Sequence, residues 1–139
     1  MEYKKYGNKY LLRVDKGEKI AQSLRILCER EGIECGGVYG LGAADHVELG
    51  LFDTAEKRFI GHTYEGAYEI ASLNGNISRM EGEVYLHLHA VIADAENLTR
   101  GGHLVEAWVS ATAELVVQAF SGTAGRKYSQ EIGLNLFEF

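Results

Sequence analysis

Proline is absent from the 139 residues, so seventeen glycines, with Asn, Asp and Ser, must supply the chain reversals. Cysteine is scarce as well. Cys28 and Cys35 have no second pair to join, which excludes a disulfide framework and a cysteine zinc site. A reduced, cytoplasmic protein is the simplest reading of that usage. No window approaches the roughly 20 apolar residues of a membrane span. The charged start "MEYKKYGNKY" is followed by no apolar leader core, so the mature chain is expected to be the whole chain. Basic charge is the other deficit: fourteen Lys and Arg face twenty Asp and Glu, a formal net charge of -6. Proteins that grip phosphate backbones usually carry a net-basic face, so this balance counts against DNA as an autonomous partner. The basic stretches "MEYKKYGNKYLLR" and "GRKYS" read as solvated surface.

What is present is one long alternation of apolar and polar residues, with no repeat, linker or low-complexity tract, which predicts a single domain over residues 1–139. Residues 8–14 read as a first strand. Asp15 and Glu18 have the spacing of a capping box, Ile20, Leu24, Leu27 and Cys28 recur at helical period, and Gly32 ends the run. Beyond Gly32, short runs rich in Val, Ile, Leu and Tyr predict strands near 36–41, 46–53, 57–63, 67–78, 83–92, 103–109, 112–120 and 130–137. The fold class is therefore α+β, one helix against a large antiparallel sheet. A single helix cannot cover both faces of so many strands. In "AELVVQAF", Val116 and Phe120 face away from Leu115, Val117 and Ala119, so both sides of the run want cover and a homo-oligomer is expected.

Chemistry concentrates in "EVYLHLHAVIAD". Val84, Leu86, Leu88, Ala90 and Ile92 form one face of a strand, and Tyr85, His87, His89 and Val91 the other. Two imidazoles projecting together about 6.6 Å apart suit a metal ion, and equally suit a partly wet strand face. His103, behind Gly101 and Gly102, would complete a three-histidine set with an open position, a common zinc arrangement. Strand pairing imposes a condition: His103 joins the other two only in a register such as His89 opposite His103. The aliphatic pattern leaves this open, because Val105, Ala107 and Val109 suit the core face in the slipped pairing. A bulge at Gly101 and Gly102, or a neighbouring subunit, could aim His103 correctly. His46 and His62 have no comparable spacing. "GGVYGLGAADH" lacks the GK[ST] and the following helix of a phosphate loop, and its glycines suit tight turns or close strand approach. No G-x-S-x-G is present, and Cys28 sits on the apolar stripe of the helix.

"GLGAADHVELGLFD", "YEGAYEIASLNGNI", "LHLHAVIAD" and "GGHLVEAWVSATAELVV", in this order after a strand and a helix, resemble the plants-and-prokaryotes conserved (PPC) domain over roughly residues 8–120. "GAYEIASLNG" is similar to the plant segment GRFEILSLSG. The resemblance implies an α+β fold with a mainly antiparallel sheet of seven to eight strands, one main helix and a homotrimer. It also implies a divalent metal at His87, His89 and His103, with zinc the ion that imidazoles suit, and a label as a DNA-binding protein. The chain departs from the plant proteins in lacking an R-G-R-P core, which its want of proline forbids. Glu69 and Glu106 are the carboxylates to inspect near the metal. Two function classes follow: a trimeric binding or regulatory module, or a small metal-dependent enzyme in which the ion activates a water at an open position. Neither reading names a small-molecule ligand, and no membrane partner is expected.

Overall fold

The computed structural model describes residues 1–139. Its elements run β1 (Glu2–Tyr6), β2 (Lys9–Asp15), α1 (Ile20–Glu31), β3 (Gly36–Asp53), β4 (Arg58–Met80), β5 (Glu83–Ala93), β6 (Thr99–Ala119), β7 (Gly125–Ser129) and β8 (Leu134–Glu138). All eight strands belong to one sheet, antiparallel except for a single parallel bridge between β4 and β7. The α+β class and the one helix agree with the pattern of the sequence, and the eight strands fall within the seven to eight that the family resemblance implies.

Three strands are far longer than the runs that announce them. Segments 36–41 and 46–53 are one strand, as are 57–63 with 67–78 and 103–109 with 112–120. The polar and glycine residues between those runs make bulges instead of turns. Register shifts fall between Gly40 and Gly42 and between Ala44 and His46 on β3, and such shifts let a long strand bend without losing its partner. The glycines of "GGVYGLG" serve close approach: a Cβ at Gly42 would lie 2.6 Å from the Ala113 Cα on the neighbouring strand. Bending lets the ladders close. Strand β3 pairs with β4 and β6, and β5 pairs with both β4 and β6, so the four form a closed circuit.

Inside lies one cluster of 26 buried residues. Strand β5 contributes Val84, Leu88, Ala90 and Ile92, the alternation read from its sequence, although Leu86 is only half-buried. Helix α1 seals the cluster with Ile20, Leu24 and Leu27, all fully buried, each of which stabilises the fold by about 1.5–3 kcal/mol. Cys28 is buried among them and burial pushes its thiol up to about 12, so it is inert packing. Both cysteines are free. No helix is long and apolar enough to cross a membrane.

The helix begins later than the capping-box spacing predicts. Asp15 and Glu18 close a turn, in which the Glu18 carboxylate accepts the Asp15 N–H at 2.9 Å and pairs with the amino terminus of Met1, but α1 starts at Ile20. Lys19 offers no side-chain cap. Glu106 of β6 supplies it instead, accepting Ala21 N–H at 2.7 Å and Gln22 N–H at 3.2 Å. A carboxylate there satisfies orphan donors and meets the positive end of the helix dipole. The other end follows its sequence: Gly32 adopts φ 62° and ψ 38°, a left-handed stop that glycine favours.

At the C-terminus, the expected strand over 130–137 is the turn and second arm of a hairpin, β7 and β8, with Gly133 at φ 85° in the reversal. Strand β1, for which the charged N-terminus gave no alternation, pairs with β2 along its whole length.

Candidate metal centre

His87 and His89 flank the buried Leu88, so strand alternation alone turns both imidazoles off the core face. They stand opposite Asn76 and Asn74 of β4. The third histidine depends on two features of β6. First, β5 and β6 pair in the register His89 to His103, with Gly102 opposite Ala90 and Gly101 opposite Val91. That is the register the site needs.

The second feature is a bulge, and it lies elsewhere than at the two glycines. Across β3, His103 faces Gly50 and Leu104 faces Leu49, but Glu106 faces Glu48. Val105 is the extra residue, 44% exposed. One added residue inverts the parity of a strand. Leu104 on one side of it and Ala107 and Val109 on the other are all buried. A regular strand would put His103 on the face of Ala107 and Val109 and press it into the core. The aliphatic pattern that pointed to a slipped register is thus satisfied without slippage, and all three histidines come from one chain.

The three imidazoles form a nearly equilateral triangle. Ring centroids are 5.2 Å apart for His87 and His89, 5.4 Å for His87 and His103, and 5.7 Å for His89 and His103. One nitrogen of each lies within 4.8 Å of the others. Tetrahedral coordination at about 2.0–2.1 Å would bring such nitrogens to about 3.4 Å, so the imidazoles would draw inward around an ion. Burial, and then the neighbouring histidines, holds the pKa of His87 and of His103 below the ordinary value. Both are thus kept neutral, the form in which imidazole binds a metal.

A pocket of about 860 Å³ opens over this triangle. Phe59 forms one wall, its ring 5.9 Å from that of His103. It lies over Gly50, where a side chain would collide with it. Tyr85, Asn76 and Arg126 form another part of the lining, Arg126 lying against the other two, and His62 also lines the pocket. None of the lining residues is Asp or Glu. Glu106 is engaged as the helix cap and Glu69 is exposed on β4 away from the pocket, so neither carboxylate serves the histidines. His46 is also elsewhere, edge-on to Trp108 and 3.4 Å from Glu48.

Sequence reading missed the lining around Arg126. "GRKYS" reads as solvated charge, and only Lys127 fits that description. Arg126 is half-buried between Tyr85 and Phe137. No local spacing links position 126 to position 87; the β4–β7 bridge does.

Residues 1–121 match the profile of the Plants and Prokaryotes Conserved (PCC) domain. Among solved structures, a Bacteroides thetaiotaomicron protein described as a "putative DNA binding protein" is 35% identical, with a TM-score of 0.97 over 99% of this chain and 96% of its own. A plant- and prokaryote-conserved protein from Pyrococcus horikoshii is 31% identical, with a TM-score of 0.88 over 99% of this chain and 95% of its own. A protein from Archaeoglobus fulgidus described as metal-containing is 26% identical, with a TM-score of 0.89 over 99% of this chain and 97% of its own. No curated protein sequence matches the chain.

Proposed function

The chain belongs to the Plants and Prokaryotes Conserved domain family, and on that premise we propose that it is a metal-dependent binding module, a homotrimer of single-domain chains that receives a small molecule over a divalent ion. His87, His89 and His103 would hold the ion, and zinc is the ion their chemistry suits. The observation that carries this reading is the triangle of imidazole nitrogens within 4.8 Å, facing an open pocket from one chain. A structural zinc site is closed by a fourth protein ligand; no Cys, Asp or Glu lines this pocket to provide one, and His62, which does line it, is not part of the three-histidine cluster. The similarity to a metal-containing archaeal protein points the same way.

A bound divalent ion would supply Lewis acidity at that open position. The chain's own part is to keep two of the three imidazoles neutral by burial, and to shield one side of the pocket with Phe59. An enzymatic reading is favoured by the open position, but the pocket holds no carboxylate to act as a general base. Besides the three histidines, its polar side chains are those of His62, Tyr64, Tyr85, Asn76, Asn135 and Arg126.

Relatives carry a DNA-binding description, yet this chain has a net charge of -6 and, without proline, no R-G-R-P core. Duplex binding is therefore not the function the residues favour.

The trimer rests on an uncovered apolar row. Leu11, Val116 and Tyr39 stand side by side across β2, β6 and β3, on the face opposite the core, and Leu11 and Tyr39 are more than half exposed. Such a row wants a partner, and family resemblance supplies the number three.

The deciding experiment is elemental analysis of purified protein beside a His87→Ala, His89→Ala variant. About one divalent ion per chain is expected in the wild type and far less in the variant. Equal content in the two would overturn the site.

A further inference from the structure

Arg126 is held from three sides. Its Nε donates to Ser78 Oγ at 2.7 Å, Nη1 to the Asn135 carbonyl at 2.7 Å and Nη2 to Asn76 Oδ1 at 2.6 Å. Tyr85 and Phe137 sandwich the guanidinium, with ring centroids 4.5 and 4.3 Å from its central carbon. Asn76 stands opposite His87 in the β4–β5 ladder, so the cation is fixed one side chain away from the three histidines.

None of these partners is an acid. The other two half-buried arginines find carboxylates: Arg79 pairs with Glu34 and Arg100 with Asp94. Yet the half-buried Arg126 faces a pocket without one, in a chain that has twenty acidic residues. Leaving a partly desolvated charge uncompensated is costly, and desolvation holds the Arg126 pKa below its ordinary value. Three bonds occupy three of the five guanidinium N–H groups. Two remain.

Adding a divalent ion on neutral imidazoles would deepen the positive excess, so the pocket calls for an anion. A planar carboxylate matches a guanidinium fork. A phosphate would ask for more donors than two N–H groups, and neither a lysine nor the helix N-terminus is present at the pocket. Much of the remaining lining is apolar, with Phe52, Phe59, Leu136 and Phe137 among it.

We propose that the pocket binds an organic carboxylate, its anionic head on Arg126 and its apolar body against Phe59, Leu136 and Phe137. The inference builds on the reading that the histidines hold an ion, which adds to the charge the anion meets, but the role of Arg126 can be read without one. The test is calorimetric titration with benzoate, and with benzyl alcohol as a neutral probe of similar shape. Wild type, Arg126→Gln and Arg126→Lys are each measured after metal analysis and again after treatment with EDTA.

Wild type should bind benzoate about ten-fold or more tightly than benzyl alcohol. Arg126→Gln should lose that difference while its metal content stays unchanged. Arg126→Lys, which keeps the charge and removes the fork, should lose much of it, and it decides the matter if the glutamine variant does not fold. Benzoate binding no tighter than benzyl alcohol in the wild type would overturn the proposal, as would benzoate binding by the folded variants at wild-type strength. A wild type that purifies without metal and cannot be loaded would refute the metal reading alone. The same benzoate comparison on that protein would still decide for or against Arg126.

Discussion

His89 stands directly opposite His103 across the β5–β6 ladder, and with His87 one alternation further along β5 the three imidazoles share a face. Metal affinity should follow the protonation of this set. Because burial depresses the pKa of His87 and of His103 below the usual 6.5, these ligands stay neutral further into acid than free histidine does. Zinc affinity is expected to fall as pH drops below about 6.5, the ordinary histidine value. In the metal-free protein the sign is the same: the unfolded chain takes up protons near pH 6.5 that the fold refuses. Stability is full above 6.5 and declines as pH falls toward the folded-state values. Competition titrations with a chromophoric chelator, and melting curves of EDTA-treated protein between pH 8 and 5, check both; unchanged affinity or stability down to pH 5 would contradict this account.

Gly102 permits the approach of β3 to β6 beside His103. A Cβ there would lie 2.6 Å from the Gly50 carbonyl oxygen, so Gly102→Ala must push two backbones apart. A loss of about 1–3 kcal/mol is expected, as for overpacked cores, together with weaker zinc binding because the next residue is a ligand. Denaturant melts with chelator titration measure the two effects, and an alanine variant of wild-type stability would contradict the argument.

Glu106 joins β6 to the start of α1, and its replacement by alanine leaves Ala21 and Gln22 N–H without partners. The expected loss is about 1 kcal/mol, typical of a removed N-cap, with metal content unchanged. Chemical denaturation reads the first and elemental analysis the second. A large fall in metal content would mean that Glu106 acts on the histidines after all.

The row of Leu11, Val116 and Tyr39 should be the seat of self-association. Wild type is expected to run at the mass of three 15.4 kDa chains in light scattering coupled to size exclusion. A Leu11→Asp, Tyr39→Glu variant should run as a folded monomer. A wild-type monomer at micromolar concentration would remove the burial argument, and a dimer would leave that argument standing while discrediting the number three.

The fold class was legible because its signals are local. Alternation in 83–92 and the period of Ile20, Leu24, Leu27 and Cys28 each report one element, and Gly32 reports its end. The His87 and His89 pair was legible for the same reason. What escaped notice was non-local or depended on one residue's placement. The bulge at Val105 decides which way His103 faces, and nothing in "GGHLVEAW" marks that valine as the unpaired one. The helix takes its cap from Glu106, some eighty-five positions from the first donor it satisfies, while the nearer capping-box spacing of Asp15 and Glu18 is used for a turn. Arg126 was unreadable because β7 reaches the site by a single bridge to β4.

The β5–β6 hairpin has a further consequence for the order in which this site forms. All three histidines lie within residues 87–103, on either side of a reversal closed by Asp94, which accepts Leu98 N–H on its side chain and Asn97 N–H on its carbonyl. Contacts so near in sequence need little loop closure and form early, whereas the pairing of Gly36 with Ala119 and the docking of β7 join distant parts of the chain. Gathering the ligands and enclosing them are therefore separate events: a chain in which β7 and β8 have come loose would keep its three imidazoles together while losing the wall that carries Arg126.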